Sequence, residues 1–126
     1  MGVRKALLDT NILIDYLAGI AAARTEIERY VVPAISIITW IEVMAGATPD
    51  DEQVRRDFLA TFIVLPLTME VAERASEIRR NWTPRLKVPD SIILATAQLD
   101  DLLLVTRNSK DFPAKERDVR VPYKVG

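Results

Sequence analysis

The sequence predicts a three-layer α/β domain with a central, mainly parallel sheet, on three observations. Short runs of continuous apolar residues alternate along the chain with segments of helical periodicity. The runs lack the apolar–polar alternation of half-buried strands, which fits strands covered on both faces. Strand–helix alternation implies parallel crossovers, with helices on the two sides of the sheet. A length of 126 residues suits one core of ordinary size, so residues 1–126 read as a single domain.

The elements follow in order. Residues 5–9 are an apolar run ending in Asp9-Thr10-Asn11, read as a buried strand followed by a cap. Ile12, Leu13, Tyr16 and Leu17 recur at helical spacing, and Gly19 supplies a stop. A second amphipathic helix is expected over 21–30, with Ile27, Tyr30 and Val31 on its inner face. Residues 33–38 form another strand candidate, turning at Thr39 into a helix up to Gly46. Residues 50–59 read as a polar helix opening with acids, as the helix dipole favours.

A third strand is expected over 62–66. Thr68 caps a helix through Val71, Ala72, Ala75 and Ile78 that ends in Arg79 and Arg80. Residues 81–88 read as a loop. Pro89 then suits the first position of a helix running over 90–99. Residues 102–106 form a fourth strand, followed by a polar turn over 107–111. Residues 119–125 suit a short edge strand, since Pro122 argues against a central place.

Composition narrows the chemistry. Apolar residues make up 49% and charged residues 28%, with a net charge of −1, which excludes a disordered chain. There is no Cys, hence no disulfide scaffold or thiolate metal site. There is no His, which removes the commonest zinc ligand, the usual general base and the Ser-His-Asp arrangement. Catalysis must lean on carboxylates, hydroxyls, amines or a metal held by oxygen. No targeting signal is evident, and no apolar stretch nears the roughly 20 residues that cross a bilayer. The expectation is a soluble cytoplasmic protein with no membrane partner.

Four acids stand out by position. In open α/β sheets ligands bind beyond the carboxyl ends of the strands. Asp9 closes the first strand, Glu42 lies early in the helix after the second, and Asp111 follows the last long strand. Asp90 opens its helix and shares a face with Leu94 and Ala97, and Glu42 sits among Trp40, Ile41, Val43 and Met44. Acids within apolar stripes cost several kcal/mol unless compensated. Converging carboxylates raise one another's pKa, whereas a divalent cation compensates them all. Oxygen ligands suit Mg²⁺ or Mn²⁺, and such a cluster without His points to phosphoryl chemistry. Each acid also has an ordinary reading: Asp9 as a helix cap, Asp90 as a first-turn residue and Asp111 as a surface turn. Glu42, in mid-helix, gains nothing from capping.

The polar residues beside these acids divide similarly. Thr10, Asn11, Ser36, Thr39 and Thr106 suit the orientation of metal ligands from behind, or helix capping, with capping favoured for Thr39. Arg79, Arg80, Trp82, Arg85 and Lys87 precede Asp90. They suit a grip on nucleic-acid phosphates with Trp82 stacking a base, or equally a helix end whose arginines complement the dipole.

The chain resembles PIN-domain ribonucleases, and most closely the VapC toxins of toxin–antitoxin pairs. The resemblance is carried by Leu8-Asp-Thr-Asn-Ile-Leu-Ile-Asp15, Ser36-Ile-Ile-Thr-Trp-Ile-Glu-Val-Met-Ala-Gly46, Pro89-Asp-Ser-Ile-Ile-Leu-Ala-Thr-Ala97 and Leu104-Val-Thr-Arg-Asn-Ser-Lys-Asp-Phe112, in that order. It implies a PIN-like α/β/α fold. It also implies an Mg²⁺-dependent endoribonuclease (Mn²⁺ serving as well) that leaves a 5′-phosphate and a 3′-hydroxyl. A homodimer and a cognate VapB-like antitoxin are implied as partners besides the RNA substrate. Asp9, Glu42 and Asp90 are the implied metal ligands, with a fourth acidic position in the last motif. Many relatives place an Asp where Asn108 stands, and others use an acid where Asp111 stands. Asp111 is taken as the fourth ligand, with Asn108 assisting. Two rival readings are a catalytically weak PIN-type binding module and a metal-dependent phosphatase using Asp9 as nucleophile. Against the phosphatase, such enzymes carry a second Asp two residues on, where Asn11 stands.

Overall fold

Leu7 faces one side of the sheet while its neighbours Ala6 and Leu8 face the other, and two separate cores grow from that alternation. The computed structural model describes residues 5–112 and 118–125. In chain order it contains β1 (Ala6–Leu8), α1 (Thr10–Leu17), α2 (Ala21–Glu28), β2 (Ala34–Ser36), α3 (Ile37–Ala45) and α4 (Glu52–Leu59). There follow β3 (Ile63–Leu65), α5 (Met69–Asn81), α6 (Val88–Leu99), β4 (Leu103–Val105) and β5 (Val119–Arg120). The sheet has the order β3-β2-β1-β4-β5, and every pairing is parallel. One core joins Leu7, Ala34, Leu104 and Val119 to α5 and α6; the other joins Ala6, Leu8, Ile35 and Val105 to α1, α3 and α4. This is the expected three-layer arrangement.

The chain steps outward from β1 to β2 and β3, then crosses back to place β4 on the other side of β1. The winding reverses between β1 and β4. Loops diverge at such a point and leave a crevice at the strands' carboxyl ends. Asp9 follows β1 there, and Thr106 follows β4, with Leu8 and Val105 in register.

Several expectations need correction. The helix after β2 begins at Ile37, because the Ser36 hydroxyl accepts from Ile38 N at 3.0 Å and caps it at once. Thr39 is therefore not a cap but a fully buried residue of α3. Val31 is 99% exposed: α2 ends at Glu28, so Val31 no longer lies on a helical face. The buried residues of α2 are Ala23 and Glu26. β3 is not covered on both faces; it is an edge strand, with Ile63 and Val64 exposed. The polar helix starts at Glu52 rather than at residue 50. Among the described residues no helix is long and apolar enough to cross a membrane.

Candidate metal centre

Asp9 is the innermost of the four acids. It occupies the cap position of α1, only 5% exposed, and Oδ1 accepts from Thr10 N at 2.7 Å. The cap reading is thus satisfied by one oxygen alone. Oδ2 points to the end of β4, where it accepts from the Thr106 hydroxyl at 2.7 Å and from Asn11 Nδ2 at 3.3 Å. Burial pushes the Asp9 carboxyl up to about 6. The bonds from Thr106 and Thr10 oppose the rise, and the charges of Asp90 and Glu42 add to it.

Thr106 is fully buried and joins three parts of the site. Besides donating to Asp9, its oxygen accepts from Asn11 Nδ2 at 3.3 Å and from Asn108 N at 3.0 Å. Asn11 in turn accepts from Arg107 N at 3.1 Å. On the other flank the Thr10 hydroxyl donates to Glu42 Oε1 at 2.6 Å and lies 3.0 Å from the Thr39 hydroxyl. Glu42 itself is exposed, as is Ile41, so the apolar sequence around it is not an apolar surrounding. Thr39 and Val43 are the buried members of α3, and Glu42 lies outside that stripe.

Asp90 is half-buried in the first turn of α6. Burial raises its pKa, then the charges of Asp111 and Glu42 raise it further, and Lys87 lowers it. Asp111 and Asn108 grip each other: Asn108 Nδ2 donates to Asp111 Oδ2 at 3.1 Å, and Asp111 N donates to Asn108 Oδ1 at 3.2 Å. The four acids singled out by position therefore feel one another electrostatically, with Asp90 linking Asp9, Glu42 and Asp111. Among the described residues, no three acids stand close enough in these positions to hold an ion together. The donor set is nonetheless entirely oxygen, and its buried members carry charge that burial and repulsion disfavour. That chemistry fits a hard divalent cation, with Glu42 exposed at the rim and held by the Thr10 hydroxyl.

The cation-bearing segment divides on inspection. Arg80, Arg85 and Lys87 are exposed, Arg79 is half-buried, and Leu86 anchors the loop in the core. Trp82 is half-buried. Its ring packs against the core beside α5, and its Nε1 donates to the Asp111 carbonyl at 3.1 Å. Trp82 thus braces the turn that carries Asp111.

Sequence reasoning missed Asp15, Arg107 and Tyr123. Asp15 is 4% exposed and receives the Arg107 guanidinium through two bonds, of 2.7 and 3.2 Å, and the Tyr123 hydroxyl at 2.9 Å. A usable signal existed for Asp15 alone: it stands four residues after Asn11, on the same helix face.

Residues 6–117 match the PIN domain family. The chain is 34% identical over 125 residues to Ribonuclease VapC10 of Mycobacterium tuberculosis, covering 94% of this chain and 93% of that protein. Among solved structures it is similar to a toxin-antitoxin complex from Klebsiella pneumoniae, with 46% identity and a TM-score of 0.89, covering 96% of this chain and all of that one. It also resembles FitAcB from Neisseria gonorrhoeae, at 23% identity and a TM-score of 0.79 over 95% of this chain and 99% of the other; that likeness bears on the fold alone.

Proposed function

This chain belongs to the PIN-domain family and stands with its VapC-type proteins, and from that premise we propose that it is a divalent-metal-dependent endoribonuclease, the toxin of a toxin–antitoxin pair. The observation that supports the reading is the electrostatic coupling of Asp9 with Asp90 and Glu42, and of Asp90 with Asp111, at the end of the sheet where the winding reverses between β1 and β4. The names of the two relatives, a ribonuclease and a toxin-antitoxin complex, agree with it.

Asp9, Glu42, Asp90 and Asp111 are the residues that would hold Mg²⁺ or Mn²⁺. Bound there, the cation supplies positive charge to the scissile phosphate and to the water that attacks it. The remaining work falls to the chain. Thr106 and Asn11 aim Asp9, Thr10 aims Glu42, and Asn108 and Trp82 hold the Asp111 turn. Arg79, Arg80, Arg85 and Lys87 neutralise RNA phosphates beside Asp90. As the family resemblance implies, hydrolysis uses water and leaves a 5′-phosphate and a 3′-hydroxyl, a route that requires no His acid–base pair, and the chain has no His. The working protein is a cytoplasmic homodimer whose site is covered by a VapB-like antitoxin. Against an Asp9 nucleophile, phosphatases of that kind usually carry a second Asp two residues on, where Asn11 stands.

The test is sequencing of RNA 5′ ends after induced expression, alongside cleavage by the purified chain with and without EDTA. Discrete 5′-phosphate ends that require metal support the proposal. RNA binding without cleavage would instead favour a binding module, which the Asn at position 108 would then explain.

A further inference from the structure

Two ion pairs of the same build, each a buried carboxylate with a half-buried arginine, tie the C-terminal part of the chain to the helices. In α1, Asp15 accepts from Arg107 Nε at 2.7 Å, from its Nη2 at 3.2 Å and from the Tyr123 hydroxyl at 2.9 Å. In α2, Glu26 accepts from Arg120 Nε at 2.8 Å, from its Nη2 at 3.0 Å and from the Tyr30 hydroxyl at 2.8 Å. Both carboxylates are 4% exposed. Buried pairs of this kind add little net stability over apolar packing, so stability alone gives no strong reason to build two.

The pairs differ in what the arginine is attached to. Arg107 directly follows Thr106, and its backbone N–H donates to Asn11 Oδ1. Asn11 and Asp15 lie one turn apart on α1, so a single helix face grips Arg107 twice, at its backbone and at its guanidinium. The same Asn11 uses its Nδ2 on Asp9 Oδ2 and Thr106 Oγ1. A short path therefore runs from the Asp15–Arg107 fork through Asn11 and Thr106 to Asp9. The Arg107 charge also lies within electrostatic reach of Asp9, whereas the groups acting on Arg120 are Glu26 and Tyr30.

We propose that Arg107, locked by Asp15, is a positioning residue of the acid centre: it fixes Asn11 and the 106–108 turn so that Asp9 is aimed at a divalent cation. Arg120, built the same way against Glu26, is a staple of the fold alone. The role rests on the metal-centre reading above. It requires a planar fork rather than a point charge, since only a bidentate contact fixes the direction of the side chain.

The test is calorimetric titration of the full chain with Mn²⁺ alone, with thermal melting of the metal-free proteins in parallel. Groups that orient a ligand from behind the metal carry 10- to 100-fold effects on affinity. Arg107→Ala should weaken Mn²⁺ binding by roughly 10-fold or more, and Arg107→Lys, which keeps the charge, by at least about threefold. Arg120→Ala should lower the melting temperature by a similar amount to Arg107→Ala, yet leave Mn²⁺ affinity within about twofold. If Arg107→Ala does not fold, Arg107→Lys decides. Parent-like Mn²⁺ affinity in every folded Arg107 variant would overturn the role, as would an equal loss in Arg120→Ala. In both cases the parent still binds Mn²⁺ and loses it on Asp9→Asn, so the metal centre stands. A parent chain that binds no Mn²⁺ overturns the metal centre and this role together.

Discussion

Asn108 and Asp111 are bonded to each other in both directions, amide to carboxylate and backbone N–H to amide oxygen. The reciprocal contact gives the two residues different work. Asn108 uses both ends of its side chain on Asp111, while Asp111 offers a carboxylate of which only Oδ2 is engaged by Asn108. Hard divalent ions favour charged oxygen over a neutral amide. Asp111→Asn should therefore raise the Mg²⁺ concentration for half-maximal cleavage by roughly 10-fold, and Asn108→Ala by less, through loss of aim. A metal titration of the two variants ranks them, and the reverse order would make Asn108 the ligand.

The Asp9 carboxyl, pushed up from 3.8 to about 6, sets a pH dependence of known sign. Its folded pKa lies above its unfolded value, so its stabilising contribution is complete below about pH 4 and is lost as pH rises through 6. For a shift of this size the loss is about 3 kcal/mol in the metal-free protein. Urea unfolding between pH 4 and 7 should show stability falling more steeply in the parent than in Asp9→Asn. Equal slopes would mean that burial does not disfavour the ionised Asp9.

Asp90→Asn should reduce cleavage by about a hundredfold or more, as for loss of one preorganised electrostatic contact. Its metal-free melting temperature should hold or rise, because Asp111, Glu42 and burial all disfavour the Asp90 charge. Circular dichroism melts and single-turnover rates measure the two effects, and cleavage at the parent rate would remove Asp90 from the centre.

The exposed cations should govern RNA affinity rather than chemistry. Arg80→Ala and Arg85→Ala should each weaken RNA binding and flatten its salt dependence by about one phosphate contact, with the saturated single-turnover rate little changed. Salt slopes identical to the parent's would leave only the complement of Arg80 to the α5 dipole and no binding role for Arg85.

Trp82→Phe is expected to behave differently from those neighbours. It keeps the packed ring and removes the bond to the Asp111 carbonyl. The half-saturating Mg²⁺ concentration should rise severalfold, by the reasoning that applies to any residue orienting a ligand from behind. RNA affinity should stay close to the parent's, since a Phe ring can still stack a base; Trp82→Ala tests stacking separately, and a large loss of RNA affinity there would assign Trp82 to the RNA.

The sequence by itself determined which elements exist and what the site can be made of. Continuous apolar runs and 3.6-residue periodicity are local properties, so β1, β2, β4 and the helices were legible from spacing alone. The absence of His and Cys limited the donors to oxygen before any contact was known. Tertiary structure decided what covers each residue and which distant groups meet. Val31, Ile63 and Val64 are apolar yet exposed because a helix ends early and a strand lies at the sheet edge, facts that no local pattern encodes. Glu42 looked buried among its sequence neighbours but lies on the open side of α3. Thr106 reaches Asp9, and Arg107 reaches Asp15, across more than ninety residues, only because the winding reverses and sets β4 against β1. Strand order is a property of the folded chain, where burial of both sheet faces selects one arrangement, and hydrogen bonds between strand ends exist only once that selection is made.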